Sequence, residues 1–155
     1  MTKKILAFLL LCLTYCVYSQ TVDCKKIKNE NGIDYIDDLK TPYTGDCVQY
    51  YPNGKKSFEA QYKNGRACGT CKWYFENGQI SQQITYILDN KNMSLADGKY
   101  TKWFQDGKIE EVINYKTGMY DGEWFQLDKN GKIIKKGLYK NNKLISGDEH
   151  IEEEI

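Results

Sequence analysis

A single histidine, His150, occurs in the 155 residues, and it stands in the acidic C-terminal end. Neither a Ser-His-Asp triad nor a multi-histidine metal site can be built from it. Equally absent is any segment with the apolar period of an amphipathic helix, so no helical layer is available to cover a sheet. Charge of one sign is lacking too: 22 basic residues face 21 acidic ones. That balance argues against nucleic acid as a partner and against an anionic membrane surface. No glycine loop is left over to cradle phosphate, because the glycines fall at turns, opposite tyrosines or at repeat boundaries. Adjacent carboxylates such as Asp37-Asp38 and Glu110-Glu111 point to opposite sides of a strand and read as solvated side chains, not as an acid/base pair. No cofactor and no metal is expected, and binding is favoured over catalysis.

What the chain does contain is a repeat. Four times a glycine is followed nine residues later by the glycine of an Asn-Gly or Asp-Gly pair, and eight residues after that by a tyrosine. The rows are Gly45, Asn53-Gly54, Tyr62; Gly69, Asn77-Gly78, Tyr86; Gly98, Asp106-Gly107, Tyr115; and Gly122, Asn130-Gly131, Tyr139. They begin 24, 29 and 24 residues apart, and Gly147 opens a fifth row that breaks off. Periods in this range mark repeat architectures, whose stacked units offer extended binding surfaces.

Each pair is a hairpin signal, read here as a two-residue type I′ turn. Counting outward from such turns sets Gly45 opposite Tyr62, Gly69 opposite Tyr86, Gly98 opposite Tyr115 and Gly122 opposite Tyr139. Every tyrosine lands on a glycine, and Trp124 on Gly137, as if each ring covered exposed backbone. Asn64-Gly65 and Thr117-Gly118 turn the chain between rows without changing faces. The fold class is therefore all-β, an open antiparallel meander of repeated β-hairpins over residues 45–147.

One face of this meander has a core's composition: Cys47, Cys71, Tyr100, Trp124, Tyr51, Phe75, Phe104, Ile80, Ile84, Ile109, Ile113 and Ile133, with one charge pair, Lys102 opposite Glu111. It must be covered by curling, by a second copy of the chain or by a ligand, since soluble monomers rarely expose large apolar patches. The other face is polar except for one column, Tyr50, Tyr74, Trp103 and Leu127, widened by Val48 and Phe125. Tyr50, Tyr74, Trp103 and Phe125 are the candidate partner-binding residues. The longer exit of row two, Ile87 to Asp97, is expected to lie over one side as a flap.

Residues 1–19 read as a signal peptide: Lys3 and Lys4 precede an uncharged apolar run, Ile5 to Val17, too short to span a bilayer, and Val17-Tyr18-Ser19 suits cleavage after Ser19. Removal takes two lysines and no acid, so the formal charge of +1 falls to about −1. The mature chain is then exported, without a transmembrane helix. Residues 20–44 form an N-terminal segment in which Ile33 to Ile36 is an edge strand, returning through Asp37 to Thr44 onto the first hairpin. Residues 148–155 are an acidic, solvated tail.

The stretches Tyr43-Thr-Gly45-Asp-Cys-Val-Gln-Tyr-Tyr-Pro-Asn-Gly54, Cys68-Gly-Thr-Cys-Lys-Trp-Tyr-Phe-Glu-Asn-Gly78 and Asp121-Gly-Glu-Trp-Phe, the last followed by Asn130-Gly131, resemble the MORN-repeat variant family, also labelled YwqK-type antitoxins. The resemblance spans roughly residues 41 to 147. It implies a MORN-like single-layer twisted sheet that serves as a protein-interaction module, with antitoxin or immunity function as the inherited label. Rows one and two depart from the pattern by carrying Cys47 and Cys71 where row four has Trp124.

Four cysteines remain after the leader, Cys24, Cys47, Cys68 and Cys71, an even number suited to disulfides in an exported chain. Cys47 and Cys71 stand two strands apart, roughly 9.5 Å, beyond bridging range. Cys68 and Cys71 point to opposite faces unless the strand bends at Gly69. Cys24, on a freer segment, is placed to reach Cys47, although three pairings stay open. A thiol oxidoreductase would use Cys68 and Cys71, but this motif enters a strand and lacks the helix N-terminus that lowers a thiol's pKa. A four-cysteine zinc site is disfavoured by the oxidising compartment. The expected partner is a protein of the envelope or exterior, with self-association through the apolar face and a cell-wall glycan stacked on Tyr50, Tyr74 and Trp103 as alternatives.

Overall fold

The computed structural model describes residues 21–36 and 41–148. Residues 1–20, which include the expected signal peptide, residues 37–40 of the expected return to the first hairpin, His150 and the acidic residues beyond Asp148 lie outside the described residues. Strand β1 (Val22–Asp23) leads into one turn of 3-10 helix, Cys24–Lys26, then β2 (Ile27–Glu30) and β3 (Ile33–Ile36). The repeats follow as β4 (Gly45–Tyr50), β5 (Lys56–Lys63), β6 (Arg66–Tyr74), β7 (Ile80–Leu88), β8 (Ser94–Ala96) and β9 (Gly98–Trp103). They continue with β10 (Ile109–Lys116), β11 (Met119–Tyr120), β12 (Gly122–Leu127), β13 (Ile133–Lys140) and β14 (Lys143–Gly147). All but β2 and β3 belong to one twelve-stranded sheet, in which the strands from β4 to β14 run as an antiparallel meander in chain order.

The expected register holds in every row: Gly45 opposite Tyr62, Gly69 opposite Tyr86, Gly98 opposite Tyr115 and Gly122 opposite Tyr139, with Trp124 opposite Gly137. The turns that produce it differ from expectation. In row one Gly54 N–H donates to Tyr51 O and Tyr51 N–H to Lys55 O, both within 2.9 Å, and of the loop residues only Gly54 has positive φ, 80°. This is a three-residue loop ending in a bulge glycine. Pro at the second position and Gly at the fourth are the preferences of the underlying type I turn. The same pair of bonds recurs at Phe75, Phe104 and Asp128. Asn53, Asn77 and Asp106 accept from the N–H two residues on, at 2.9 to 3.0 Å, which explains the Asn/Asp preference; in row four Asp128 takes that role. The type I′ geometry occurs instead between rows, at Asn64-Gly65 and Thr117-Gly118, where both residues have positive φ.

A three-residue loop moves the pairing by one. In each row a bulge at the start of the second strand, at Ser57, Ser81, Glu110 and Ile134, moves it back. Two offsets cancel, so the register beyond the bulge is the one a two-residue turn gives. Between turn and bulge the faces are exchanged.

The strand-opening glycines are required by their backbone, not by ring coverage. Gly69 and Gly98 have φ of 70° and 92°, and nothing lies within 4 Å of where a Gly98 Cβ would stand, so Tyr115 does not fill that space. Of the expected pairs, Trp124 over Gly137 is the one in which the ring does cover the glycine, since an added Cβ would strike the indole and lie 2.7 Å from Asp148 O; Gly45 is met by the Tyr43 ring instead of Tyr62, its Oη 2.6 Å from where a Cβ would stand.

Two corrections concern the connections. Ile33–Ile36 is no edge strand of the main sheet: it pairs with Ile27–Glu30 in a separate hairpin, and the edge position beside β4 goes to Val22–Asp23, running parallel. The small hairpin still touches row one, through Asp34 N–H to Gly65 O at 2.9 Å. The exit of row two is no flap. Tyr86, Ile87 and Leu88 pair with Ala96, Leu95 and Ser94, so the segment extends the ladder in the plane of the sheet, and Ser94 Oγ donates to Ala67 O at 2.6 Å.

The core lies on the tyrosine face. Cys47, Ala60, Cys71 and Ile84 form one buried cluster, and Ile113, Trp124 and Tyr139 a second; Tyr100 and Tyr115 pack against both. Phe58 and Trp73 join this face, their rings 5.0 Å apart. Cover at rows one and two comes from the chain itself: Val22, Cys24 and Ile27 pack on the first cluster, and a disulfide joins Cys24 to Cys47. Further on, rings cover rings, with Tyr115 and Tyr120 at 5.1 Å and Tyr120 and Tyr139 at 5.4 Å.

A candidate binding face

Tyr50, Tyr74, Trp103 and Phe125 all lie on the face opposite the core. Registers carry a continuous line across it, Val48 to Glu59 to Lys72 to Gln83 to Thr101 to Val112 to Phe125 to Lys136. Beside it runs the column of large side chains, whose direct cross-strand partners are Lys56 for Tyr50, Ile80 for Tyr74, Ile109 for Trp103 and Ile133 for Leu127. Directly opposed residues share a face. Ile80, Ile109 and Ile133, read from sequence as core, thus belong to the column, because they precede the bulge that exchanges the faces. Ile109, Ile133 and the bulge residue Ile134 are 39%, 50% and 52% exposed, and Tyr50 is 50% exposed. Trp103, Leu127 and Phe125 are half-buried. In rows three and four the face is an apolar strip without a charged side chain at its centre.

At rows one and two the same face is charged. The Glu59 carboxylate accepts from Tyr74 Oη at 2.6 Å and stands 2.8 Å from Lys56 Nζ and 3.3 Å from Lys72 Nζ. Partial burial alone would raise its pKa, but the donors Lys56, Tyr74 and Lys72 outweigh it and hold the carboxyl at about 2. Burial, and then the bond to Glu59, push the Tyr74 hydroxyl upward. The sign for stability follows: Glu59 contributes above its ordinary 4.5 and loses that contribution as the pH falls toward 2. Glu59→Gln is therefore expected to flatten the acid limb of urea midpoint against pH between 4.5 and 2; an unchanged limb would contradict the clamp. Lys102 does stand opposite Glu111, but its ammonium reaches the bulge residue Glu110, at 3.1 Å.

The turns at one end of the sheet are stitched row to row. Asn53 Nδ2 donates to Glu76 O at 3.0 Å and Asn77 Nδ2 to Gln105 O at 3.1 Å; Asp106 has no amide donor, and Lys108 Nζ makes the third link to Lys129 O at 2.9 Å. The rows are thereby held in phase, which keeps the column straight.

Of the four cysteines among the described residues, Cys24 and Cys47 are joined, while Cys68 and Cys71, offered by the sequence as possible disulfide partners, are free thiols. Gly69, with φ of 70°, bends β6 between them; Cys71 stays on the core face and Cys68 pairs with Gln61 on the other. Burial pushes the Cys71 thiol up to about 11 and raises Cys68 as well. A redox nucleophile needs the opposite shift, toward thiolate at neutral pH. Among the described residues no group of three or more His, Cys, Asp or Glu side chains is placed to hold a metal ion, and no helix is long and apolar enough to cross a membrane.

In-phase hairpins, one face closed on itself and the other carrying a recurrent column, define a β-hairpin repeat protein. The chain belongs to the MORN repeat variant family, whose profile matches residues 43–64, 67–87, 96–117 and 120–141, the four rows in turn. No curated protein matches it. Among solved structures, the crystal structure of accessory secretory protein 1, 2 and 3 in Streptococcus pneumoniae is similar at 12% identity and a TM-score of 0.34, over 82% of this chain and 21% of that one. The chain thus spans about a fifth of that structure's length, and the two share too little geometry for function to pass between them.

Proposed function

We propose that this protein is an exported, non-catalytic interaction module that holds a protein partner against the outer face of its sheet. The observation that carries this reading is the apolar strip of rows three and four, where Trp103, Ile109, Leu127, Ile133 and Phe125 lie side by side, two of them as exposed isoleucines. The core of a protein interface has that composition, aromatic and aliphatic with charge excluded. Export is supported by the apolar run Ile5 to Val17 and by the Cys24–Cys47 disulfide, a bond that persists in oxidising compartments. In such a compartment the partner is an envelope or secreted protein, and an antitoxin or immunity-like role is the form that the family resemblance suggests.

A pull-down from the source organism's envelope and secreted fractions tests this. The wild type is expected to capture a protein that the double variant Trp103→Ala, Phe125→Ala loses, each truncation costing on the order of 1 to 2 kcal/mol or more at an interface centre. Equal capture by a double variant with an unchanged urea midpoint would remove the strip from the interface.

A further inference from the structure

The charged half of this face is built unlike the apolar half, and it supports a second site that does not rest on the protein-partner reading. Over β4 to β6 the outer face holds a groove of about 500 Å³, lined among others by Tyr50, Gln61, Gly69, Thr70, Glu59 and Lys72. Protein interface cores exclude charge, whereas this groove is rich in it. Its formal charges balance: two carboxylates, Asp46 and Glu59, line it with two lysines, Lys56 and Lys72, and Glu59 is held by both lysines and by Tyr74. A ligand entering it needs no charge of its own. What the groove offers is hydrogen-bonding capacity: the Lys72 ammonium has three donors and a single carboxylate oxygen beside it, the Gln61 amide both donates and accepts, and the Thr70 hydroxyl, bonded to Thr85 Oγ1 at 3.1 Å, keeps a further lone pair. Along the groove stands the half-exposed Tyr50 ring, an apolar plate with a polar tip.

We propose that this groove binds a neutral, extended, β-linked oligosaccharide, with the C–H face of one sugar ring on Tyr50 and its hydroxyls bonded by Gln61, Thr70 and Lys72. A sugar is the ligand class that joins many uncharged hydroxyls to an apolar ring face. Length enters through the repeat. Tyr50 and Tyr74 stand two strands apart, roughly 9.5 Å, so a chain lying across the strands meets a ring in both charged rows.

The test is calorimetric titration of the disulfide-bonded protein with two neutral probes, chitohexaose and cellohexaose, and with oligogalacturonate as an anionic control. At least one neutral hexamer is expected to bind more tightly than the control, with affinity falling about tenfold or more in both Tyr50→Ala and Gln61→Ala. Both residues are exposed, so the urea midpoint should hold and separate lost binding from lost folding. No heat of binding with either neutral hexamer at millimolar concentration would overturn the proposal. So would tighter binding of oligogalacturonate, or full affinity in Tyr50→Ala. None of these outcomes touches the strip at rows three and four, whose own test uses Trp103 and Phe125.

Discussion

Replacing Trp124 by alanine is expected to remove about 3 to 5 kcal/mol of unfolding free energy, the range for truncating a buried tryptophan, and to give the largest single-residue loss in the sheet. The indole is 2% exposed, packs with Ile113 and Tyr139, and lies over Gly137, whose missing side chain leaves the room it fills. Its Nε1 also donates to Asp148 O at 3.3 Å, which fastens the last strand. Single-layer sheets have no second layer to relax into a cavity, so rows three and four should unfold together. Urea unfolding with a change below about 1 kcal/mol would mean that the second cluster is not a core.

Breaking the Cys24–Cys47 bond is expected to cost about 3 kcal/mol, the chain-entropy value for a loop of this length, the cysteines being 23 residues apart. Cys47 is 1% exposed and belongs to the first cluster, so the bond fixes the N-terminal segment onto the core. In Cys24→Ser the amides of Val22 to Ile27 should lose hydrogen-exchange protection first, while β9 to β13 keep theirs. Unchanged protection there would show that Val22 and Ile27 hold the segment without the bond. Cys68 and Cys71, with raised pKa values, are expected to stay reduced in both proteins.

How much of this was legible in the sequence depends on the distance from a turn. The row period and the Gly-to-Tyr register could be read directly, because they depend only on the sum of turn and bulge. Their separate values could not. Asn-Gly suits both a two-residue and a three-residue loop, and the bulges at Ser57, Ser81, Glu110 and Ile134 carry no common residue type to announce them. The misplacement of Ile80, Ile109 and Ile133 follows from that one ambiguity. Pro52 and Asp128, both favoured in a type I turn, were the available signals. The candidate residues Tyr50, Tyr74, Trp103 and Phe125 precede the turns and kept their face for that reason. The Glu59 clamp was out of reach, since it joins β5 to β6 across a register shift of two residues at Gly69 to Cys71.

Side-chain alternation makes the central claim testable with neighbours. Lys102 and Trp103 are adjacent in β9 and stand on opposite faces, Lys102 paired with Glu111 and Trp103 with Ile109. A photo-reactive phenylalanine analogue placed at position 103, or separately at position 102, would be irradiated with the partner fraction captured by the wild type. Crosslinking from position 103 and not from position 102 is the expected result. An adduct from position 102 with none from position 103 would put the partner on the tyrosine face and contradict the account.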